Sequence, residues 1–406
     1  MTKNLLWMGI AVFAILNLSD LPSVSVSAQG KYRCDSGPYT ATIGFSADGQ
    51  FVYSAWSTGD QNPSLSYVVW QTSTGKVVRS YPETNPTAAA VSPDGKYFAI
   101  GDFHILKVTD FNTGKELFSV ETNFEITGLR FLNGNKWLLS IEVGETNLWD
   151  VATGKLLQSF LTSTPERGAS ETLSPDEKYF FAVGGEDGDA PLALWDVATG
   201  KTVRSFKGFS GAFSPDSKLI ATDDGKNIVI WDITAQSGRS INYPADPTGY
   251  SSDRMIRSFS PDGKYLIVSV DVWGSASLAG EQGSDDVVLY SAIEVWDEQT
   301  GKLLWDFGKQ GTSALLGIFP DREHLLIINS DGYELWDIKT QQRERKFLID
   351  DQWQIQPSGV FATSPDGNYL LSRTLISNDG SAGFLVSLRD IKTGKKVMDY
   401  CVSNIQ

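Results

Sequence analysis

An all-β fold of eight four-stranded antiparallel sheets is what this sequence predicts, and three observations predict it. A pattern recurs along the chain about every 45 residues, the signature of a repeat architecture. Each copy holds two turn-forming phrases, F-S-P-D-G-K-Y-L and I-x-V-W-D-x-x-T-G-K-x-x-x-x-F. The stretches between the phrases are β-branched or aromatic and too short for helices, as in Tyr97-Phe98-Ala99-Ile100, Leu266-Ile267-Val268-Ser269-Val270 and Leu370-Leu371-Ser372.

The first phrase occurs eight times, at Phe45–Gly49, Val91–Gly95, Phe131–Asn135, Leu173–Glu177, Phe213–Ser217, Phe259–Gly263, Ile318–Arg322 and Thr363–Gly367. In its Ser-Pro-Asp-Gly core, Pro presets φ, Asp suits the next turn position and Gly accepts the last. It reads as a hairpin turn between two apolar strands. The second phrase follows each copy. It is clearest at Leu148-Trp149-Asp150, Leu194-Trp195-Asp196, Ile230-Trp231-Asp232, Val295-Trp296-Asp297 and Leu335-Trp336-Asp337. It is altered at Trp70-Gln71, Thr109-Asp110 and Arg389-Asp390. After the Trp, Asp accepts hydrogen bonds from the backbone ahead of it and a Gly supplies positive φ, giving a second tight turn.

Each repeat therefore supplies four antiparallel strands. Sheets that cannot bury their own faces must stack, and stacking around an axis leaves no large exposed edge. The result is an eight-bladed β-propeller. Over nearly the whole chain the two phrases resemble those of the WD-repeat β-propeller family. The chain departs from that family in lacking the Gly-His pair ahead of the innermost strand, and it has only two histidines, His104 and His324. The His-Ser-Asp-Trp hydrogen-bond network of many members cannot be built, so the expectation is apolar packing around Trp149, Trp195, Trp231, Trp296 and Trp336.

Composition narrows the function. The formal charge of −15 leaves no basic footprint for displacing counterions from nucleic acid, and it disfavours anionic membrane surfaces. Lys3, the apolar run Leu5–Leu18, Pro22 and the small residues of Val26-Ser27-Ala28 read as a secretory signal, with cleavage expected after Ala28. Residues 1–28 are then a signal peptide and 29–406 a single propeller, periplasmic or secreted, without a membrane span and monomeric. Cys34 precedes the first strand and Cys401 ends the last, so a Cys34–Cys401 disulfide is expected across the ring's seam in an oxidising compartment. A loop this long contributes on the order of 5 kcal/mol in the chain-entropy account.

In a propeller of this topology both repeated turns share one face. The other connections open on the opposite face and carry nearly all the irregularity. Binding on a regular scaffold concentrates in such loops. The largest is the insertion Asp271–Ser291, with Trp273, Leu278, Asp285, Asp286 and Tyr290. The link Asn242–Arg257 carries Tyr243 and Tyr250, and the link Leu348–Ser358 carries Trp353. These eight residues are the candidate partner-binding set, aromatic anchors among carboxylates.

Catalytic readings find few residues. A Ser nucleophile needs a positioned base, and the string Gly208-Phe209-Ser210-Gly211-Ala212 lacks the second glycine of a nucleophile elbow. Two His and two Cys offer little for zinc or iron. The acidic strings Glu186–Asp189, Asp223-Asp224-Gly225, Asp285-Asp286 and Asn378-Asp379-Gly380 lack a calcium loop's spacing. The expectation is a scaffold without cofactor or metal that binds a protein or peptide, not nucleic acid, and is not an enzyme. The alternative is a propeller enzyme with its pocket at the central channel. Lactonase-like hydrolysis is one form of it. The other rests on the string Val295–Trp305, which resembles the tryptophan-docking motif of eight-bladed quinoprotein dehydrogenases, although Gln158 and Ser205 stand where Trp would recur.

Overall fold

The computed structural model describes residues 43–400, apart from 47, 59–63, 84–86, 163–171, 184–191, 209, 244–250, 276–285, 308–313, 319–323, 330–331, 349–356, 365 and 379–380. Within them lie eight separate four-stranded antiparallel sheets, each formed by four consecutive strands. Blade 2 is typical, with strands Ala88–Val91, Tyr97–Gly101, Ile105–Asp110 and Glu116–Glu121 in that order across the sheet. First strands of adjacent blades touch at four seams, between blades 1 and 8, 2 and 3, 4 and 5, and 5 and 6, which places them nearest the axis. Among the described residues no strand is exchanged between blades.

The Ser-Pro-Asp-Gly turn is built around its serine. In blade 2 the Ser92 hydroxyl donates to Asp94 Oδ1 at 2.8 Å and accepts the Tyr97 N–H at 2.9 Å, while Asp94 Oδ1 accepts the Lys96 N–H. The same arrangement recurs at Ser174, Ser214, Ser260 and Ser364, each at most 4% exposed. In the second turn Asp110 Oδ1 accepts both the N–H and the hydroxyl of Thr113, and Gly114 takes φ near 72°. A backbone bond from Phe111 N–H to Lys96 O ties the two turns together, and equivalents recur around the ring. Both turns therefore share one face.

Apolar clusters fill the seams between blades 1 and 2, 2 and 3, 3 and 4, 4 and 5, 5 and 6, and 6 and 7. The ring closes through Ile43, Val52, Val68 and Trp70 of blade 1 against Leu371, Val386, Leu388 and Tyr400 of blade 8. The Tyr400 hydroxyl donates to Thr72 O at 3.2 Å across this seam. Cys34, Cys401 and the 1–28 segment lie outside the described residues. Among the described residues no helix is long and apolar enough to cross a membrane.

Purely apolar packing of the tryptophans needs correction. The Trp149 indole N–H donates to Ser140 Oγ, that of Trp296 to Glu294 and that of Trp336 to Glu334. A buried indole N–H left without an acceptor is costly, and an acceptor two residues earlier in the same strand replaces the missing histidine network in blades 6 and 7.

Candidate functional site: the irregular face

Both ends of the insertion in repeat six are strand rather than loop. The second and third strands of blade 6 run Tyr265–Ser275 and Asp286–Asp297, and they pair as far as Ser275 with Asp286. The link before it is likewise drawn into a nine-residue inner strand, Ser251–Phe259. The reason is alternation. Val268, Val270 and Val272 keep a period of two beyond the usual strand end, and each is buried. Compared with blade 2, the six additional residues lengthen the strand by about 20 Å at ~3.3 Å per residue. Blade 8 carries a second long hairpin, Tyr369–Asn378 with Ser381–Asp390.

Among the predicted anchors, Trp273 lies on the blade 6 hairpin. It is half-buried, and its indole N–H has no partner among the described residues. Asp286 and Tyr290 take positions in the facing strand, with Tyr290 opposite Val272. Tyr243 lies elsewhere, in the seam between blades 5 and 6. Its ring meets Trp296 edge-on at 5.9 Å, its hydroxyl donates to Asp223 at 3.0 Å, and the Arg254 guanidinium stands 4.5 Å over the ring. Leu278, Asp285, Tyr250 and Trp353 fall outside the described residues.

Tyr243 belongs to a buried polar network. Arg254 on the inner strand donates through Nε and Nη2 to the two Glu294 oxygens at 3.2 and 3.1 Å, and Nη1 reaches Ser252. Burial pushes Asp223 above its ordinary value, against the hydrogen bonds from Gly225 and Tyr243. Burial, then the neighbouring Asp223 carboxylate, pushes the Tyr243 phenol up as well. The network fixes the base of the long hairpin to blade 5.

A second carboxylate cluster lies at the blade 3 turn on this face. Glu142, 1% exposed, accepts from Ser140 at 2.7 Å and from Asn147 at 3.0 Å. Desolvation raises its pKa despite both donors. Its Oε2 and Asn147 Oδ1 are buried acceptors without a partner.

Sequence reasoning missed an apolar strip on the same face. Phe103 (41% exposed), Ile105, Phe124 (43%) and Leu161 (63%) lie on blades 2 and 3. The Thr122 N–H donates to His104 O, and Asn123 reaches Glu145 at 3.1 Å. The Phe124 ring edge lies 4.0 Å from where a side chain on Gly144 would begin, and Leu161 pairs with Glu145. The four side chains therefore belong to one edge of two adjacent blades, with Glu121 paired to Ile105, Glu125 next to Phe124 and Glu145 paired to Leu161. The other exposed aliphatics, such as Val78, Leu117, Leu157 and Leu304, recur at one position of the outer strand and belong to the repeat. Length of insertion was the wrong signal for this strip. Phe103 and Phe124 in connections too short to bury them was the available one.

Two of the remaining motifs have a structural role, while Glu186–Asp189, Asp285 and Asp379-Gly380 lie outside the described residues. Ser210 is 1% exposed and its hydroxyl accepts the Ile256 N–H, so it is no exposed nucleophile. Asp223-Asp224-Gly225 forms a hairpin turn in which Asp224 accepts the Lys226 and Asn227 N–H groups.

No family model matches the chain. Solved structures share its propeller fold. The dihydro-heme d1 dehydrogenase NirN in complex with DHE aligns over 91% of this chain and 75% of its own, with TM-score 0.56 and 15% identity. BamB from Moraxella catarrhalis aligns over 84% and 95%, with TM-score 0.54 and 14% identity. A dehydrogenase is thus built on this fold, and the expectation that the chain is not an enzyme does not stand. Scarcity of His and Cys argued only against chemistries that use those side chains.

Proposed function

We propose that the chain is an exported WD-repeat-type propeller that holds a protein or peptide on its irregular face. The observation that carries the reading is the set Phe103, Ile105, Phe124 and Leu161, four large apolar side chains exposed on the irregular edge of two adjacent blades where the repeat does not require them. Isolated exposed apolar residues are ordinary, but contiguous ones mark contact surfaces. The carboxylates beside the strip and the net charge of −15 favour a segment that combines apolar anchors with Lys or Arg. Trp273, with an indole N–H unpartnered among the described residues, offers a second anchor on the projecting hairpin. Export rests on the Lys3, Leu5–Leu18 and Val26-Ser27-Ala28 signal.

The test is selection of peptides from a displayed random library on the immobilised protein. Enriched sequences should combine aromatic or aliphatic residues with basic ones, and a Phe103→Ser/Phe124→Ser variant should bind them at least about tenfold more weakly. Failure to enrich any sequence, or equal binding by the variant, would remove the strip as the binding surface.

A further inference from the structure

The eight blades serve as internal controls for one another, and blade 7 differs from the rest at two positions that meet in space. The first is the opening residue of the second strand, opposite the Asp (Gln71 in blade 1) that follows the Trp position. It is aromatic in six blades, as Phe51, Tyr97, Trp137, Tyr179, Tyr265 and Tyr369, and Leu219 in blade 5. In blade 7 it is His324, opposite Asp337. The second position is the bulged residue of the outer strand, skipped in the pairing register. It is aliphatic in six blades, as Val78, Leu117, Leu157, Val203, Leu304 and Val397. In blade 7 it is Glu344, between Arg343 and Arg345.

Two apolar side chains of the repeat are thus replaced by an imidazole and a carboxylate, beside an aspartate the repeat already supplies. His324 Nε2 lies 3.1 Å from Glu344 Oε2. One ligand atom from each of His324, Asp337 and Glu344 lies within 4.8 Å of the others. The Asp337 carboxylate is held by the Thr340 N–H at 2.5 Å. The His324 side chain is 17% exposed and that of Glu344 47%, so the group is supported from beneath and open to solvent.

We propose that His324, Asp337 and Glu344 form a divalent transition-metal site, with Zn²⁺ the fitting ion. Zinc takes imidazole nitrogen and carboxylate oxygen at about 2.0–2.2 Å, which places tetrahedral ligand atoms roughly 3.3–3.5 Å apart. The His324–Glu344 separation already has nearly that size, and the third ligand atom, from Asp337, lies within 4.8 Å of both. Calcium and magnesium prefer all-oxygen shells and are disfavoured by the imidazole. Three protein ligands leave a tetrahedral ion one position for water or for a side chain of another molecule. The site lies on the face of the repeated turns, away from the apolar strip, so its fate is independent of the peptide-binding reading.

Tag-free, EDTA-stripped protein with its thiols alkylated is titrated with Zn²⁺ by calorimetry, and its melting temperature is followed in parallel. One ion per chain and a rise in Tm are expected. His324→Tyr, which restores the residue of blades 2, 4, 6 and 8, should abolish the binding, and Glu344→Gln should weaken it at least about tenfold. His104→Asn, at the exposed turn on the opposite face, should bind as before. Glu344 is exposed on an outer strand, so its variant keeps the test open if His324→Tyr fails to fold. No binding by the unaltered protein, or binding unchanged in Glu344→Gln, overturns the site and leaves a His–Glu ion pair.

Discussion

The two faces of this ring are made by different means. On the turn face one device is copied around the axis: a buried serine hydroxyl bonds an aspartate two residues on and a backbone N–H five residues on. On the opposite face each fixing contact is particular to its blade, as with Arg254–Glu294 beneath the blade 6 hairpin and Glu142–Asn147 in blade 3. A copied device is written in six of the eight repeats, Leu132 and Phe319 standing in its place in blades 3 and 7, and so is legible. A particular one depends on which blade happens to stand next, and it leaves the surface around it free to vary.

Breaking a particular contact should have the largest effect. Arg254→Met leaves Glu294 buried and unpaired and should cost about 3–5 kcal/mol by urea unfolding. Arg254→Met combined with Glu294→Gln should recover much of that loss. If the single and double variants unfold alike, the network is not what holds this seam. One copied contact should matter less. Ser260→Ala orphans the Tyr265 N–H and should cost about 1–3 kcal/mol; no measurable change would mean that Asp262 alone holds the turn.

The faces should also respond to pH with opposite sign. At Asp94, Asp176, Asp216 and Asp262 burial opposes ionisation, but hydrogen bonds from the turn serine and lysine outweigh it and hold each carboxyl below its ordinary value. Their contribution is complete above the ordinary carboxylate range and is lost as pH falls through the lowered values. Glu142 and Asp223 are raised, chiefly by burial. They favour the fold fully below the ordinary range, and that advantage is lost as pH rises through the raised values. In urea titrations across pH, Asp262→Asn should flatten the acid limb and Glu142→Gln the limb towards neutrality. A shared direction for the two variants would erase the contrast. The smallest effect belongs to the apolar strip, where Phe103→Ser and Phe124→Ser should each change stability by no more than about 0.5 kcal/mol. A larger loss would assign those rings to the core.

Blade number, strand order and both turns were legible because Pro, Asp, Gly and Trp at fixed spacing act locally. The serine at the head of six of the turns was given no role, since that role requires knowing that the backbone returns to it. The blade 6 hairpin looked irregular because its polar residues hide a continuing Val-x-Val alternation. Tyr243 looked like a loop aromatic because nothing in its own segment announces Trp296, Asp223 and Arg254 around it. Phe103 and Phe124 escaped notice because they sit on short connections, where length gives no warning.

That every sheet is completed by one contiguous stretch of chain has an evolutionary corollary. Duplicating or deleting a stretch of one repeat's length would add or remove a whole module without orphaning a strand elsewhere. The closure between Trp70 and Tyr400 would then need only to re-form around a wider or narrower circle.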